Sequence, residues 1–217
     1  MMNAEPLVSV CMTAYNHAPY IGRAIEGVLS QRTTFAVELV LSDDCSTDGT
    51  GAICRDYAAR YPDRIRLLTG DVNVGMRANY RRTIEACRGR YVAMCDGDDW
   101  WCDPLKLQRQ VEALEADPAC GICYTRVRCY AQEEGRYVEN YPMGAAVRDD
   151  GRAAALSCRR ALLRFRPAAV RQYGRELHGR RAAGADPALL RGGAAGRASR
   201  MADRRCADVD MVRGVQP

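Results

Sequence analysis

Five short apolar runs alternate with four helical segments across the first 130 residues, and that alternation leaves few folds open. The runs 7–13, 37–42, 65–68, 91–95 and 122–127 are rich in Val, Ile and Leu and too short for helices. Between them, 20–31, 46–61, 76–87 and 104–116 carry helical spacing, clearest where Ile21, Ala24, Ile25, Val28 and Leu29 share one face. Pro62 and Gly89 stop two of these helices. Strand-helix alternation of this kind predicts βαβ units, an α/β chain with a mainly parallel sheet and helices on both faces. Ligands of such sheets bind beyond the carboxyl ends of the strands. The polar clusters fall there: Thr13 to Asn16, Asp43 to Ser46 and Asp96 to Asp99.

The last cluster carries the most chemistry. The run Tyr91-Val92-Ala93-Met94-Cys95 ends in Asp96-Gly97-Asp98-Asp99, three carboxylates within four residues. So much negative charge at one strand end repels itself unless a cation is held there, and hard ions such as Mg²⁺ or Mn²⁺ take carboxylate oxygens alongside phosphate. Read alone, the run fits a metal-diphosphate site or a solvated acidic turn before the next helix, with Asp103-Pro104 as its cap.

Composition narrows the classes further. No stretch of about 18 apolar residues is present, so no membrane span is expected. Met1 to Pro6 lacks the basic-then-apolar pattern of a signal peptide, so the 11 cysteines are expected to be reduced thiols in a cytoplasmic protein. Cys120-Gly121-Ile122-Cys123 has metal-ligand spacing but no second pair, and buried strand cysteines are the expectation there. From Gly151 onward 15 Arg face 5 acidic residues, whereas the first 150 residues carry a net −5. That basic tail lacks the aromatics that base stacking needs, which argues against nucleic acid. It is dominated by Arg, Ala and Gly, and such composition buries little apolar area against chain entropy. Residues 149–217 are therefore expected to be poorly packed or disordered, with some helix conceivable over 153–163, and residues 1–148 to form the folded domain.

Four motifs together carry a resemblance. Val8 to Asn16, Glu38 to Thr50, Asn73-Val74-Gly75 and Asp96 to Trp101 resemble, in order and spacing, the family 2 glycosyltransferases. These are inverting enzymes of the GT-A fold that use nucleotide-sugar donors, and the resemblance spans residues 5–130. It implies that Thr13 and Tyr15 line the base pocket and that Asp44 accepts a hydrogen bond from the uracil imide. Asp43 only braces its turn. Asn73 to Gly75 form the loop over the nucleotide, and Arg77 and Asn79 belong near the diphosphate or ribose, with an ordinary solvated arginine the alternative for Arg77. Asp96 contacts the ribose, and Asp98 and Asp99 hold Mn²⁺ or Mg²⁺. Asp48 is read as a helix-opening residue, His17 as a loop residue or a donor, and Trp100 and Trp101 as cover for the core edge or a sugar platform.

The implied reaction is transfer from a UDP-sugar, with inversion, to a glycan or lipid-linked acceptor in polysaccharide synthesis, in the cytoplasm or at the inner membrane face. Inverting transfer needs a general base on the acceptor side. No convincing match exists, and Asp186 is the nearest candidate by position. Glu133, Glu134 and Glu139 are read as solvated carboxylates of a hairpin. An Arg/Ala/Gly-rich tail with Lys106 the sole lysine is also what a GC-rich gene yields out of frame. Such a tail would replace the acceptor half and leave a catalytically impaired nucleotide-binding remnant. A basic tail that docks on anionic membrane is the rival. A nucleotidyltransferase is disfavoured, because Thr13-Ala14-Tyr15-Asn16-His17 is not the Gly-rich loop that class carries.

Overall fold

The computed structural model describes residues 5–118, 120–131, 136–138, 161–164 and 202–215. Four strands run parallel in the order β3-β2-β1-β4: β1 (Val8–Ala14), β2 (Val37–Asp43), β3 (Ile65–Leu68) and β4 (Tyr91–Met94). The chain winds outward from β1 to β3, then returns to the other side of β1 with β4. Strand order therefore reverses between β1 and β4, which opens a crevice at their carboxyl ends.

The alternation of strand side chains sorts the core into two layers. Val8, Val10, Met12, Leu39, Leu41, Tyr91 and Ala93 pack against α1 (Ile21–Leu29), α2 (Thr50–Arg60) and α4 (Lys106–Ala116). Cys11, Val40, Val92 and Met94 face the opposite way, onto α3 (Met76–Ala86). Each fully buried Val, Leu or Ile stabilises the fold by roughly 1.5–3 kcal/mol, so both layers contribute to holding the sheet between its helices. Helices on both faces were expected from the sequence, and they are found.

The far half of the sheet is mixed. β8 (Ala161–Arg164) lies antiparallel between β4 and β6 (Cys120–Ala131), and β9 (Ala202–Val215) runs parallel to β6. β7 (Arg136–Val138) hairpins onto β6, and β5 (Asp99–Trp101) pairs antiparallel with β9. These elements correct several expectations. The run 122–127 is part of a strand of 12 residues. The end of the conceivable helix over 153–163 is strand β8. Two tail segments join the sheet although the tail was expected to pack poorly, because ladder hydrogen bonds use main-chain groups that every residue carries whatever its side chain. Among the described residues no helix is long and apolar enough to cross a membrane.

Two helix starts also shift inward. α2 begins at Thr50 rather than Ser46, since Asp48 Oδ1 accepts from the Thr50 N–H (3.0 Å) and hydroxyl (2.6 Å) just ahead of it. Burial alone would raise the Asp48 pKa, but these bonds and one from the Ala18 N–H outweigh it and hold the carboxyl low. That is the helix-opening role expected of Asp48. α4 begins at Lys106, where Asp103 Oδ1 accepts from the Leu105 N–H at 2.7 Å.

Cys11, Cys45, Cys54, Cys87, Cys95 and Cys102 are free thiols, as expected, whereas Cys123, buried on β6, is disulfide-bonded. Burial pushes the Cys54 thiol up to about 12, and burial also holds Cys95 well above its ordinary value. The hydrogen bond with Cys87, followed by burial, does the same for Cys11. Such thiols stay protonated and are structural, not nucleophilic.

Lys106 is fully buried. Its Nζ stands 4.2 Å over the Trp101 ring and donates to Gln110 Oε1 at 2.6 Å, while Gln110 Nε2 donates to the Cys123 carbonyl at 3.1 Å. Lys106 thus ties β5 to α4 and β6. Burial lowers its pKa from 10.5 to about 7, partly opposed by Cys95 and Asp103. Between those values the unfolded chain binds a proton that the native chain does not, so this group makes stability rise with pH from about 7 to 10. Lys106→Met is expected to flatten that rise, by up to about 1.4 kcal/mol per pH unit. Urea unfolding of both proteins at pH 7, 8 and 9 measures the difference in slope.

Candidate functional site

The loops that leave β1 and β2 are bolted together at their carboxyl ends. The Asn16 N–H donates to Ser46 Oγ and the Thr47 N–H to Asn16 Oδ1, both at 2.9 Å. Asn16 and Cys45 hold positive φ angles of 55° and 59°. Non-glycine residues seldom adopt that conformation, and where they do the surrounding contacts must hold them there. Asp43 accepts from the Ser46 hydroxyl (2.5 Å) and N–H (3.4 Å), the bracing role expected of it.

Asp44, 2% exposed, fixes the opposite wall. Its two oxygens accept from the Val74 and Gly75 N–H groups, each at 2.9 Å. Asn73 Oδ1 also accepts from Gly75 N–H at 2.9 Å, and Gly75 takes φ 83°, which suits only glycine without strain. The 73–75 loop is therefore clamped over the ends of β1 and β2. Beneath it Asn79 is buried, and its Oδ1 accepts from Ser42 Oγ (2.5 Å) and Arg82 Nε (2.8 Å). Arg82 also donates to the Asp43 carbonyl at 2.9 Å and lies 3.9 Å from Asp44. Arg82, which the sequence reading passed over, thus locks the second strand end to α3. Its only sequence signal is its position one helical turn beyond Asn79.

The third element is the carboxylate cluster after β4. Asp96, Asp98 and Asp99 each offer an oxygen within 4.8 Å of the others. Ladder-like bonds anchor the loop beside β1, with the Cys95 N–H on the Cys11 carbonyl (3.1 Å) and the Gly97 N–H on the Thr13 carbonyl (2.9 Å). Three hard oxygen donors within this distance suit an oxygen-seeking divalent cation. Asp96 and Asp98 are half-buried at the surface of the cleft, whereas Asp99 is 2% exposed on β5 behind them.

These walls enclose a cleft of about 460 Å³. Thr13, Tyr15, Asp44, Asn73, Asn79, Asp96 and Asp98 all line it, so seven residues singled out in the sequence meet in one place. Arg77 does not line it: it is exposed on α3, about 100° round the helix from Met76, which does. Met76 and Tyr80, one turn apart on α3, line the cleft without having been assigned to it, and so does His17, read in the sequence as a loop residue or a donor. Trp100 and Trp101 are 5% and 3% exposed, and Trp101 belongs to the core, as expected of cover for its edge. Asp186, Glu133, Glu134 and Glu139 lie outside the described residues.

The sequence model of Glycosyl transferase family 2 matches residues 9–171. The chain belongs to this family. It is 40% identical over 136 residues to the uncharacterized protein Rv1520 of Mycobacterium tuberculosis, covering 63% of this chain and 39% of that protein. It is 41% identical over 112 residues to the succinoglycan biosynthesis protein ExoO of Rhizobium meliloti, covering 51% of this chain and 30% of the relative. Among solved structures, the mannosyltransferase PcManGT from Pyrobaculum calidifontis, in complex with GDP-Man and Mn²⁺, superposes with a TM-score of 0.51 at 28% identity. That match covers 58% of this chain and 36% of PcManGT. The chain thus spans 30–39% of the length of these relatives. The parallel half-sheet with its flanking helices is the GT-A fold of the family.

Proposed function

We propose that the chain forms the donor half of an inverting glycosyltransferase that takes a UDP-sugar with Mn²⁺ or Mg²⁺ and passes the sugar to a glycan or lipid-linked acceptor. The observation that carries this reading is the meeting of Asp96 and Asp98 with the ends of β1 and β2 in one cleft, with the buried Asp99 behind them in the same cluster of carboxylate oxygens. Asp98 and Asp99 would hold the cation, with Asp96 toward the ribose. A divalent cation supplies charge neutralisation as a diphosphate leaving group departs. Thr13 and Tyr15 offer the base a polar atom and an aromatic face. Asp44 has lone pairs left for an imide N–H beyond the two it spends on the loop. Arg77, from the exposed flank of α3, would reach only the outer edge of the donor.

PcManGT, described with GDP-Man and Mn²⁺, supports a nucleotide-sugar with a divalent cation. ExoO, named for succinoglycan biosynthesis, supports a polysaccharide acceptor. With a lipid-linked acceptor the reaction would take place at the inner membrane face, where the arginines after residue 150 add attraction to anionic lipid.

Incubation with UDP-, GDP- and dTDP-sugars and Mn²⁺, followed by NMR of the released or transferred sugar, tests this reading. Turnover of the UDP-sugar with inverted anomeric configuration is the expected result. Turnover with GDP-sugar alone would reassign the base, and nucleotide binding without turnover would favour the impaired remnant.

A further inference from the structure

The cleft presents an electrostatic imbalance. Its walls carry Asp44, Asp96 and Asp98, yet a diphosphate brings further negative charge. Among the described residues that line it, His17 is the one side chain able to carry positive charge. We propose that His17 is a binding residue for the donor diphosphate, giving a hydrogen bond from its Nε2 to a phosphate oxygen; this rests on the donor-site reading above.

The imidazole is held for such a role. The His17 N–H donates to Thr50 Oγ1 at 2.7 Å, and the His17 carbonyl accepts from the Tyr20 and Ile21 N–H groups, both at 2.9 Å. The ring is wedged against the metal-binding loop, since a Cβ on Gly97 would stand 2.8 Å from His17 Nδ1 and 2.9 Å from Ile21 Cδ1. Side-chain entropy is thus largely spent before any ligand arrives, which favours binding.

The two ring nitrogens differ in their surroundings. Nδ1 is buried and has no hydrogen-bond partner among the described residues. A buried N–H left without an acceptor is costly, so the neutral ring is better off with Nδ1 bare and its proton on Nε2. That tautomer leaves Nε2 as the donor of a ring that lines the cleft together with Asp96 and Asp98. A phosphate oxygen is the acceptor a donor ligand would bring to it. A hydrogen bond to a charged oxygen is about twice as strong as a neutral one.

Calorimetric titration of UDP and of uridine, both with Mn²⁺, into wild type, His17→Ala and His17→Gln separates a diphosphate contact from a structural one. Loss of about ten-fold or more in UDP affinity for His17→Ala is expected, with uridine affinity within about two-fold of wild type. His17→Gln, which keeps an amide donor near the Nε2 position, should recover part of the loss and remains informative if the alanine variant folds poorly. Equal losses for UDP and uridine, or no loss for either, would overturn the assignment. If wild type binds uridine but gains nothing from the diphosphate, this inference also falls while a nucleoside site stands. If wild type binds neither ligand, the donor-site reading falls and takes this inference with it.

Discussion

On the proposed reading of Asp98 as a cation ligand, Asp98→Asn is expected to lower sugar transfer by about 10²–10³-fold, because such a ligand would supply several kcal/mol of charge stabilisation at the departing diphosphate. The same variant should unfold within about 2 °C of wild type. The two halves of that expectation have separate origins. Asp98 lines the cleft and is half-buried, and it accepts no hydrogen bond from the described residues, so its replacement orphans no internal donor. Asparagine keeps the size and one oxygen but removes a charge from a cluster of three carboxylates whose oxygens lie within 4.8 Å. Relief of their mutual repulsion offsets what little packing changes. Transfer assays across a Mn²⁺ titration, paired with thermal melts, read both halves. A comparable loss in melting temperature would show that Asp98 is structural. Asp99→Asn is expected to be less clean, since that carboxylate is buried on β5.

The largest expected effect on stability lies far from the cleft, at Gly89. A Cβ there would stand 2.5 Å from the Ser9 nitrogen and 2.8 Å from the Val8 carbonyl carbon, both main-chain atoms that no rotamer can move aside. The Gly89 N–H donates to Ser9 Oγ at 2.7 Å, and Ser9 Oγ donates in turn to Glu38 Oε1 at 2.6 Å. Arg88 closes the hub on Glu38 Oε2 at 2.7 Å. Gly89→Ala must therefore pry β4 from β1 at their amino ends and loosen a buried polar network. Overpacking of about 1–3 kcal/mol, with one or two strained hydrogen bonds of about 1 kcal/mol each, gives about 3–5 kcal/mol of destabilisation. For a chain of this size that is about 10 °C in melting temperature. A calorimetric scan of the variant checks it, and a shift under about 2 °C would mean that the two strands part more easily than their packing indicates.

The sequence was most legible where structure is local. The strands β1 to β4 and all four helices follow from the apolar pattern of each run by itself, and period-two alternation alone sorts Val10 from Cys11 into opposite layers. Most of the site was legible for the same reason: strand ends in a parallel sheet gather whatever polar residues follow them. What escaped depends on distant chain. β5 is three residues long and reads as the loop after an acidic run; it becomes a strand only because β9, about 110 residues later, pairs with it. That pairing carries Asp99 away from the cleft surface, a separation that the continuous run 96–99 does not reveal. β8 and β9 arise in a stretch whose composition speaks against burial, because side-chain composition does not report main-chain pairing. Arg77 and Met76 show the limit within a helix. Their neighbouring positions look equivalent in the sequence, yet a turn of about 100° sends one to solvent and the other to the cleft. His17 was visible at the end of β1, but the closeness of Gly97 that orients it comes from the neighbouring strand end.

The central claim is that the carboxylate cluster and the ends of β1 and β2 form one metal-dependent nucleotide site. Titration of UDP into the purified protein by calorimetry, once with Mn²⁺ and once with EDTA, tests it most directly. Binding at least about ten-fold tighter with Mn²⁺ is the predicted result. Equal affinity under both conditions, or no UDP binding under either, would contradict it.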